Sequence, residues 1–146
     1  MIAIGSDHGG FELKNHVKKY LEDKGIEVKD YGTYNEESID YPDCAGPVCK
    51  AVLGNEAECG ILFCGTGIGI SMAANKYNGI RAALCSDVYS AKMAKEHNNA
   101  NVICIGGRVT GRELAFMMID EWLNAKHQGG RHSDRVAKIH AIEKNQ

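Results

Sequence analysis

The sequence predicts an α/β fold in which helices cover both faces of a five-stranded parallel sheet. Short apolar segments of β type alternate with longer segments of helical periodicity, and residues 61–63 and 82–84 are apolar at every position. Strands that are covered by helices on both sides show this continuous apolarity. Strand–helix alternation with short connections favours parallel strands joined by right-handed crossovers. The expected result is a doubly wound, three-layer sandwich.

Strands and helices are assigned from these patterns in chain order. The strands are predicted over residues 1–5, 26–31, 59–64, 81–85 and 102–106. The helices are predicted over residues 11–24, 40–53, 67–76, 87–97, 111–126 and 133–144. In a doubly wound sheet, ligands bind beyond the carboxyl ends of the strands, where the strand order reverses. The residues that follow the first, third, fourth and fifth strands are therefore the candidates for a functional site.

Capping residues fix where several helices are expected to begin. Asp40 is placed as the cap of the second helix, and Ser86 or Asp87 as the cap of the fourth. Thr110 with Glu113 three residues later has the spacing of a capping box, so it is placed at the start of the fifth helix.

Length and charge limit the class of protein. The chain has 146 residues, 17 basic and 19 acidic side chains, and a formal charge of −2. This length suits one domain over residues 1–146, and the small charge argues against broad binding to nucleic acid or to an anionic membrane. No apolar run approaches the ~20 residues that cross a bilayer, and no signal peptide is evident, so a cytoplasmic protein is expected. The charged run of residues 14–24 is interpreted as solvated surface.

The six cysteines show no CxxC pair and no doublet with the spacing of zinc ligands. Neither a disulfide framework nor a zinc site is therefore expected. Most of the cysteines are interpreted as small buried apolar residues.

The first strand ends in Asp7-His8-Gly9-Gly10 and leads into a helix. Glycines allow the backbone to approach a ligand closely, and the N–H groups at a helix start attract anions. The alternative is an ordinary strand–helix turn in which Asp7 only caps the helix.

The third strand ends at Cys64, followed by Gly65, Gly67 and Gly69. Alternating small residues at such a turn can direct successive amides to one point and form an anion-binding nest. The pattern lacks the Gly-Lys-Ser/Thr of a P-loop, and it is only loosely related to dinucleotide-binding motifs. A thiol beside a helix start is stabilised as the thiolate, which can act as a base or a nucleophile. The alternative is a core cysteine.

Two further groups lie near strand or helix ends. His97 and Asn98 end the fourth helix, where they could act in chemistry or only complement the helix dipole. Arg131 and Arg135 share a face if their segment is helical, and two guanidinium groups suit a phosphate or a carboxylate, although a solvated surface explains most such pairs.

Four motifs together carry a resemblance to a known family: Ser6-Asp7-His8-Gly9-Gly10, Asp40-Tyr41-Pro42-Asp43, Cys64-Gly65-Thr66-Gly67-Ile68-Gly69 and His97-Asn98. The chain resembles the type B ribose-5-phosphate isomerases, a group that includes the galactose-6-phosphate isomerase subunits, from residue 1 to about residue 142. The resemblance implies a Rossmann-like fold and the interconversion of D-ribose 5-phosphate and D-ribulose 5-phosphate through a cis-enediolate, in the pentose phosphate pathway. It implies no metal and no organic cofactor. It also implies a homodimer or homotetramer with an active site shared between subunits, and a C-terminal helix, residues 133–144, that packs on the partner.

The resemblance also assigns roles to residues. Cys64 matches the catalytic base, because the position at which other members carry a glutamate is Ile70 here. Thr66 and His97 match residues of ring opening, and Asp7 matches a residue near the sugar hydroxyls. The remaining matches are contacts to the substrate or to its phosphate: His8, Tyr41, Gly65, Gly67, Gly69, Asn98, Arg108, Arg131 and Arg135.

The chemistry of an aldose–ketose isomerase agrees with these residues. Removing a proton next to a carbonyl requires a base and fixed N–H donors for the charge that develops. Cys64 and the glycine nest supply both at one strand end. Two alternatives stay open: an isomerase of a six-carbon sugar phosphate such as allose or galactose 6-phosphate, and a non-catalytic module that binds phosphosugars.

Overall fold

Strands and helices alternate along the whole chain, as predicted. The structure, a computed structural model, describes all 146 residues. Its elements are β1 (Ile2–Ser6), α1 (Phe11–Asp23), β2 (Val28–Asp30), α2 (Tyr41–Leu53), β3 (Cys59–Cys64), α3 (Ile68–Ala74), β4 (Ala82–Leu84), α4 (Val88–Glu96), β5 (Val102–Gly106), α5 (Arg112–Asn124) and α6 (Arg131–Lys144). Every predicted element is present with its ends shifted by at most two residues. The α/β fold class is confirmed.

The five strands form one sheet with the order β2-β1-β3-β5-β4. All four pairings are parallel, so every strand ends at the same edge of the sheet, called here the carboxyl edge. Along this edge Ser6 of β1 pairs with Phe63 of β3, and Cys64 pairs with Gly106 of β5. The three central strands are buried throughout, whereas the short edge strands β2 and β4 are half-exposed or exposed.

Helices cover both faces of the sheet and divide the core in two. α1, α4 and α5 pack on one face around Phe63 and Trp122, while α2 and α3 pack on the other around Leu62 and Cys104. α6 is different, because only His132 and Val136 of its residues are buried. The structure contains no helix with the length and apolar character required to traverse a bilayer.

Of the three expected helix caps, one is confirmed, one is confirmed in position only, and one is wrong. Asp87 accepts a hydrogen bond from Ser90 N at 2.7 Å and caps α4, as predicted. Asp40 occupies the capping position of α2, but its side chain makes no capping bond. Thr110 does not cap α5, because its amide donates to Gly106 O at 3.0 Å in a preceding turn and the helix begins one residue later, after Gly111.

The interpretation of residues 14–24 as solvated surface is wrong at Lys14, which is 0% exposed. The Lys14 Nζ donates to the Asp30 carboxylate at 2.8 and 2.9 Å and also to the Thr33 carbonyl. These acceptors offset the cost of removing the cation from water. The buried pair therefore ties α1 to the chain that leaves β2.

We predict that Lys14→Met lowers the free energy of unfolding by about 3–5 kcal/mol, because it leaves the Asp30 carboxylate without its buried partner. The matched control is Lys18→Met, since Lys18 also faces Asp30 but at 3.8 Å and 34% exposed. This control should cost less than about 1 kcal/mol. Urea unfolding at neutral pH measures both, and equal losses would contradict the assignment of Lys14 as the anchor.

Candidate active site

The turn after β1 brings two ionisable side chains to the carboxyl edge. Asp7 is 6% exposed, and its Oδ1 accepts a hydrogen bond from Gly10 N at 3.1 Å. His8 is half-buried, and its Nδ1 accepts a hydrogen bond from Ile39 N at 3.2 Å. Asp7 therefore closes the turn that leads into α1, and His8 remains at the surface of the edge with one nitrogen free.

Cys64 is the last residue of β3, and its sulfur accepts a backbone hydrogen bond. Gly67 N donates to Cys64 Sγ at 3.1 Å. Gly67 has a φ of 79°, a left-handed conformation that glycine adopts without strain, and this turns its amide back to the sulfur. The residue is 4% exposed, so the sulfur lies in nearly dry surroundings in which hydrogen bonds to charge are strengthened.

The other five cysteines lie in the core as neutral thiols. Burial raises the pKa of four of them to about 11, and raises the fifth well above its ordinary value; the four are Cys44, Cys49, Cys59 and Cys85, and the fifth is Cys104. Their interpretation as small apolar residues agrees with this burial. No three His, Cys, Asp or Glu side chains come together as a metal-binding group.

The backbone beyond Cys64 presents unpaired N–H groups. The amides of Gly65, Thr66, Gly69 and Ile70 have no acceptor within the chain. Thr66 is exposed, and its Oγ1 accepts a hydrogen bond from Ile68 N at 3.2 Å, which leaves its hydroxyl proton available to a ligand. Ile70 is fully buried, whereas Gly65, Thr66 and Gly69 are half-buried or exposed, so the amides of these three can bind an oxyanion. We call the backbone of residues 65–70 the amide nest.

Arg108 and Tyr41 border the amide nest. The Arg108 guanidinium lies over the turns after β1 and β3, where a Cβ added to Gly65 would be 3.2 Å from its Nη1. The Tyr41 ring packs against Gly69 so closely that a Cβ there would lie 2.6 Å from Cζ. The predicted residues of the first, third and fifth strand ends are thus neighbours, as the parallel sheet requires.

His97 and Asn98 lie at the opposite, amino edge of the sheet. They follow α4, which runs from the carboxyl edge of β4 back to the start of β5. The His97 ring stacks on His132 with centroids 4.2 Å apart and planes at 6°. Desolvation, followed by the charges of His97, Arg131 and Arg135, lowers the pKa of His132. A cavity of about 540 Å³ opens at this edge beside Asn98.

The structure therefore places the predicted residues in two groups rather than one. A strand of six residues separates them, which is about 20 Å at ~3.3 Å per residue. The helical spacing expected for Arg131 and Arg135 is present, since α6 begins at Arg131, two residues earlier than predicted. None of the ion pairs in the structure involves Arg108, Arg131 or Arg135, so these three have no carboxylate partner. The carboxyl edge thus holds one such guanidinium group and the amino edge holds two, and both arrangements suit a phosphate.

Comparison with known proteins identifies the family to which the chain belongs. The family model described as ribose/galactose isomerase matches residues 2–139. The chain belongs to the ribose/galactose isomerase family. All predicted site residues, from Asp7 to Arg135, lie within the part that matches this isomerase family.

Relatives within the ribose/galactose isomerase family match the chain nearly end to end. Ribose-5-phosphate isomerase B of Escherichia coli (strain K12) is 53% identical over 142 residues, which are 97% of this chain and 95% of the relative. D-erythrulose-4-phosphate isomerase of Pectobacterium atrosepticum is 48% identical over 140 residues, which are 94% of this chain and 91% of the relative. A solved structure of Clostridium thermocellum ribose-5-phosphate isomerase B has a TM-score of 0.98 at 53% identity and covers 99% of this chain and 97% of that one.

Three groups beside the site were missed by sequence reasoning. Lys14 carried a signal, because it lies on the same helix face as the apolar residues Val17 and Leu21. His132 was visible only as a neighbour of Arg131, and its stack on His97 follows from the packing of α6. No sequence pattern points to the Ile39 amide, since every residue other than proline carries a backbone N–H.

We predict that Gly10→Ala destabilises the fold by about 1–3 kcal/mol, the usual cost of overpacking. A Cβ at Gly10 would lie 2.4 Å from Phe63 Cβ and 2.7 Å from Phe63 O, so α1 would have to move away from the end of β3. Gly111→Ala is the control, because Gly111 also precedes a helix but a Cβ there meets nothing within 4 Å. Its expected cost is below about 1 kcal/mol. Urea unfolding compares the two, and equal midpoints would contradict the close approach.

Proposed function

We propose that this protein is a ribose-5-phosphate isomerase that interconverts D-ribose 5-phosphate and D-ribulose 5-phosphate, with Cys64 as the base. One observation carries the mechanism: a sulfur that accepts the Gly67 amide lies at the start of the amide nest, where the amides of Gly65, Thr66 and Gly69 have no acceptor and their residues are not buried. The 53% identity to ribose-5-phosphate isomerase B of Escherichia coli supports the choice of substrate.

The proposed proton transfer uses the carboxyl edge. The Cys64 thiolate removes the proton from C2 of the open-chain aldose, and the electron pair of that C–H bond forms the C1–C2 double bond of the enediolate. The negative charge then resides on the former carbonyl oxygen, where the amide nest stabilises it without reorganising. The O2 hydroxyl proton moves to O1, the Cys64 thiol returns its proton to C1, and the electron pair left on O2 forms the C2 carbonyl of the ketose, which regenerates the thiolate. Ile70 is fully buried and apolar, so the position at which other family members are expected to carry a glutamate offers no competing base here.

The remaining steps need the residues of the amino edge. Ring opening requires an acid and a base, which we assign to Thr66 and to the partner subunit's His97, with Asp7 near the sugar hydroxyls. Arg108 and His8 bind the phosphate together with Arg131 and Arg135 of the partner subunit. The phosphate is remote from the reacting carbons, so its binding energy serves to position them.

The separation of the two groups supports a site shared between subunits. One chain cannot bring both groups of residues to the same sugar phosphate. In a two-fold dimer, the amino edge of each chain can lie at the carboxyl edge of the other, which gives two equivalent sites. Four exposed apolar side chains border the amide nest and support a covering partner: Ile68, Met72, Leu84 and Val109 are 47%, 64%, 43% and 68% exposed. In this proposal α6 packs on the partner, and Asn98 contacts the reacting end of the partner's substrate.

The length of the sugar is tested by a panel of substrates. A relative at 48% identity is a D-erythrulose-4-phosphate isomerase, so members of this family act on sugars of different length. Values of kcat/KM for four-, five- and six-carbon aldose phosphates, measured with excess chelator, should be highest for ribose 5-phosphate. Binding without turnover of any of them would indicate the non-catalytic alternative. A cytoplasmic location also stays a prediction.

We predict that Cys64→Ala lowers kcat by about 10²–10⁴-fold, the usual contribution of a positioned base. The KM for ribose 5-phosphate and inhibition by inorganic phosphate should stay near wild-type values, because the phosphate ligands are intact. Cys49→Ala is the control, since the Cys49 side chain is fully buried on α2 and its thiol has a pKa of about 11. Near-wild-type kcat in Cys64→Ala would contradict the assignment of the base.

We also predict that two inactive variants restore activity when their subunits are exchanged. Cys64→Ala damages the carboxyl edge and His97→Gln the amino edge, so each mixed dimer contains one intact site. Random pairing should return about one quarter of the wild-type kcat.

The matched control mixes Cys64→Ala with Arg108→Gln, which both damage the carboxyl edge and should restore nothing. Activity that never exceeds the sum of the separate variants in the first mixture would show that the site is not shared.

A further inference from the structure

His8 receives a hydrogen bond that determines which of its nitrogens carries the proton. Ile39 N donates to His8 Nδ1 at 3.2 Å. A backbone amide can only donate, so Nδ1 must be the unprotonated nitrogen and the neutral ring carries its proton on Nε2. The tautomer of a candidate substrate ligand is therefore set by main chain that lies 31 residues away in sequence.

The segment of residues 31–40, which supplies this amide, is fixed where it leaves β2. Ser6 N donates to Gly32 O and Thr33 N donates to Ser6 O, both at 2.6 Å. The Thr33 carbonyl also accepts from the buried Lys14 Nζ. These bonds hold the segment against β1 immediately before Asp7 and His8.

The same segment is fixed at its other end. Residue 40 precedes α2, whose first residue, Tyr41, packs on Gly69 of the amide nest. The segment thus spans from β2 across the end of β1 to the nest. Ile39 lies two residues before Tyr41, near this second fixed end, and its amide faces the imidazole of His8.

We propose that residues 31–40 act as a positioning device for His8: the Ile39 amide holds Nδ1, so that Nε2–H is directed to an anionic oxygen of the bound phosphosugar, and Lys14 anchors the segment. This rests on the proposed function, which makes His8 a substrate ligand. Ile39 and Lys14 are positioning residues, because neither touches the substrate.

The benefit of this arrangement is electrostatic. An Nε2–H donates to a phosphate oxygen, whereas the other neutral tautomer would direct a lone pair at the same anion. Without the Ile39 amide, the free ring would exchange between the two tautomers, and only one of them would bind the phosphate productively. Fixing the tautomer before binding removes that loss.

The test compares Ile39→Pro, which removes the N–H, with Ile39→Ala, which keeps it. Long-range ¹H–¹⁵N NMR of histidine-labelled protein reads the tautomer of His8, and its signal is assigned by its loss in His8→Gln. The wild type and Ile39→Ala should show Nε2–H, and Ile39→Pro should show a mixture. In Ile39→Pro, the KM for ribose 5-phosphate and the inhibition constant of inorganic phosphate should rise about threefold to tenfold, with kcat unchanged.

The proposal is overturned if wild-type His8 carries its proton on Nδ1, or if Ile39→Pro keeps the wild-type tautomer. A rise in KM without a change of tautomer would likewise overturn it, since that result indicates only a disturbed loop. The NMR measurement does not depend on turnover. A wild-type protein that isomerises nothing but shows Nε2–H would thus remove the proposed function and leave the tautomer assignment in place.

A second pair of variants decides the matter if Ile39→Pro does not fold. The side-chain amide nitrogen of a glutamine lies near the position of the histidine Nε2. The side-chain amide nitrogen of an asparagine lies near the position of Nδ1. His8→Gln keeps a donor toward the phosphate and should raise KM less than His8→Asn does. The reverse order, or equal values of KM, would count against an Nε2–H donor.

Discussion

Parallel pairing of β3 between β1 and β5 is the constraint on which the whole site depends. It brings the chain that follows each of the three strands to one edge, so that Asp7, Cys64 and Arg108 become neighbours although they lie far apart in sequence. Close packing at this edge is possible only because glycines occupy the contacts, as at Gly10 against Phe63. The amide nest is the direct result, since its N–H groups lie beyond the last ladder bond and before the first full helical turn.

The same chain direction explains why the predicted site residues lie at two opposite edges of the sheet within one chain. A helix that follows a parallel strand must return to the opposite edge before the next strand begins. Residues at the end of such a helix therefore lie away from the carboxyl edge. His97, which follows α4, is one of them. The stack of His97 on His132 and the two arginines of α6 make the amino edge a second preformed group. The symmetric dimer proposed above would use both groups.

Much of this could be predicted from the sequence, because the signals are local. Apolar patterns located each strand and helix, and the glycines and Cys64 marked the nest. The predictions that were wrong or missing concern features that depend on tertiary packing or on main-chain hydrogen bonds. Thr110 has the spacing of a capping box, but a turn with Gly106 comes first. Lys14 belongs to a charged run but fills a place beside Asp30. The order of β5 between β3 and β4 and the role of the Ile39 amide have no counterpart in any single residue type.

The three arginines without carboxylate partners have a consequence for assembly. Within one chain, Arg108 is separated by the length of the sheet from Arg131 and Arg135, so their mutual repulsion is weak. Joining two chains in the proposed way would crowd these like charges into each cleft and oppose association. A bound dianion would neutralise them, so ligand occupancy and subunit affinity would be thermodynamically linked. The concentration of phosphosugar would then influence how firmly the subunits hold together.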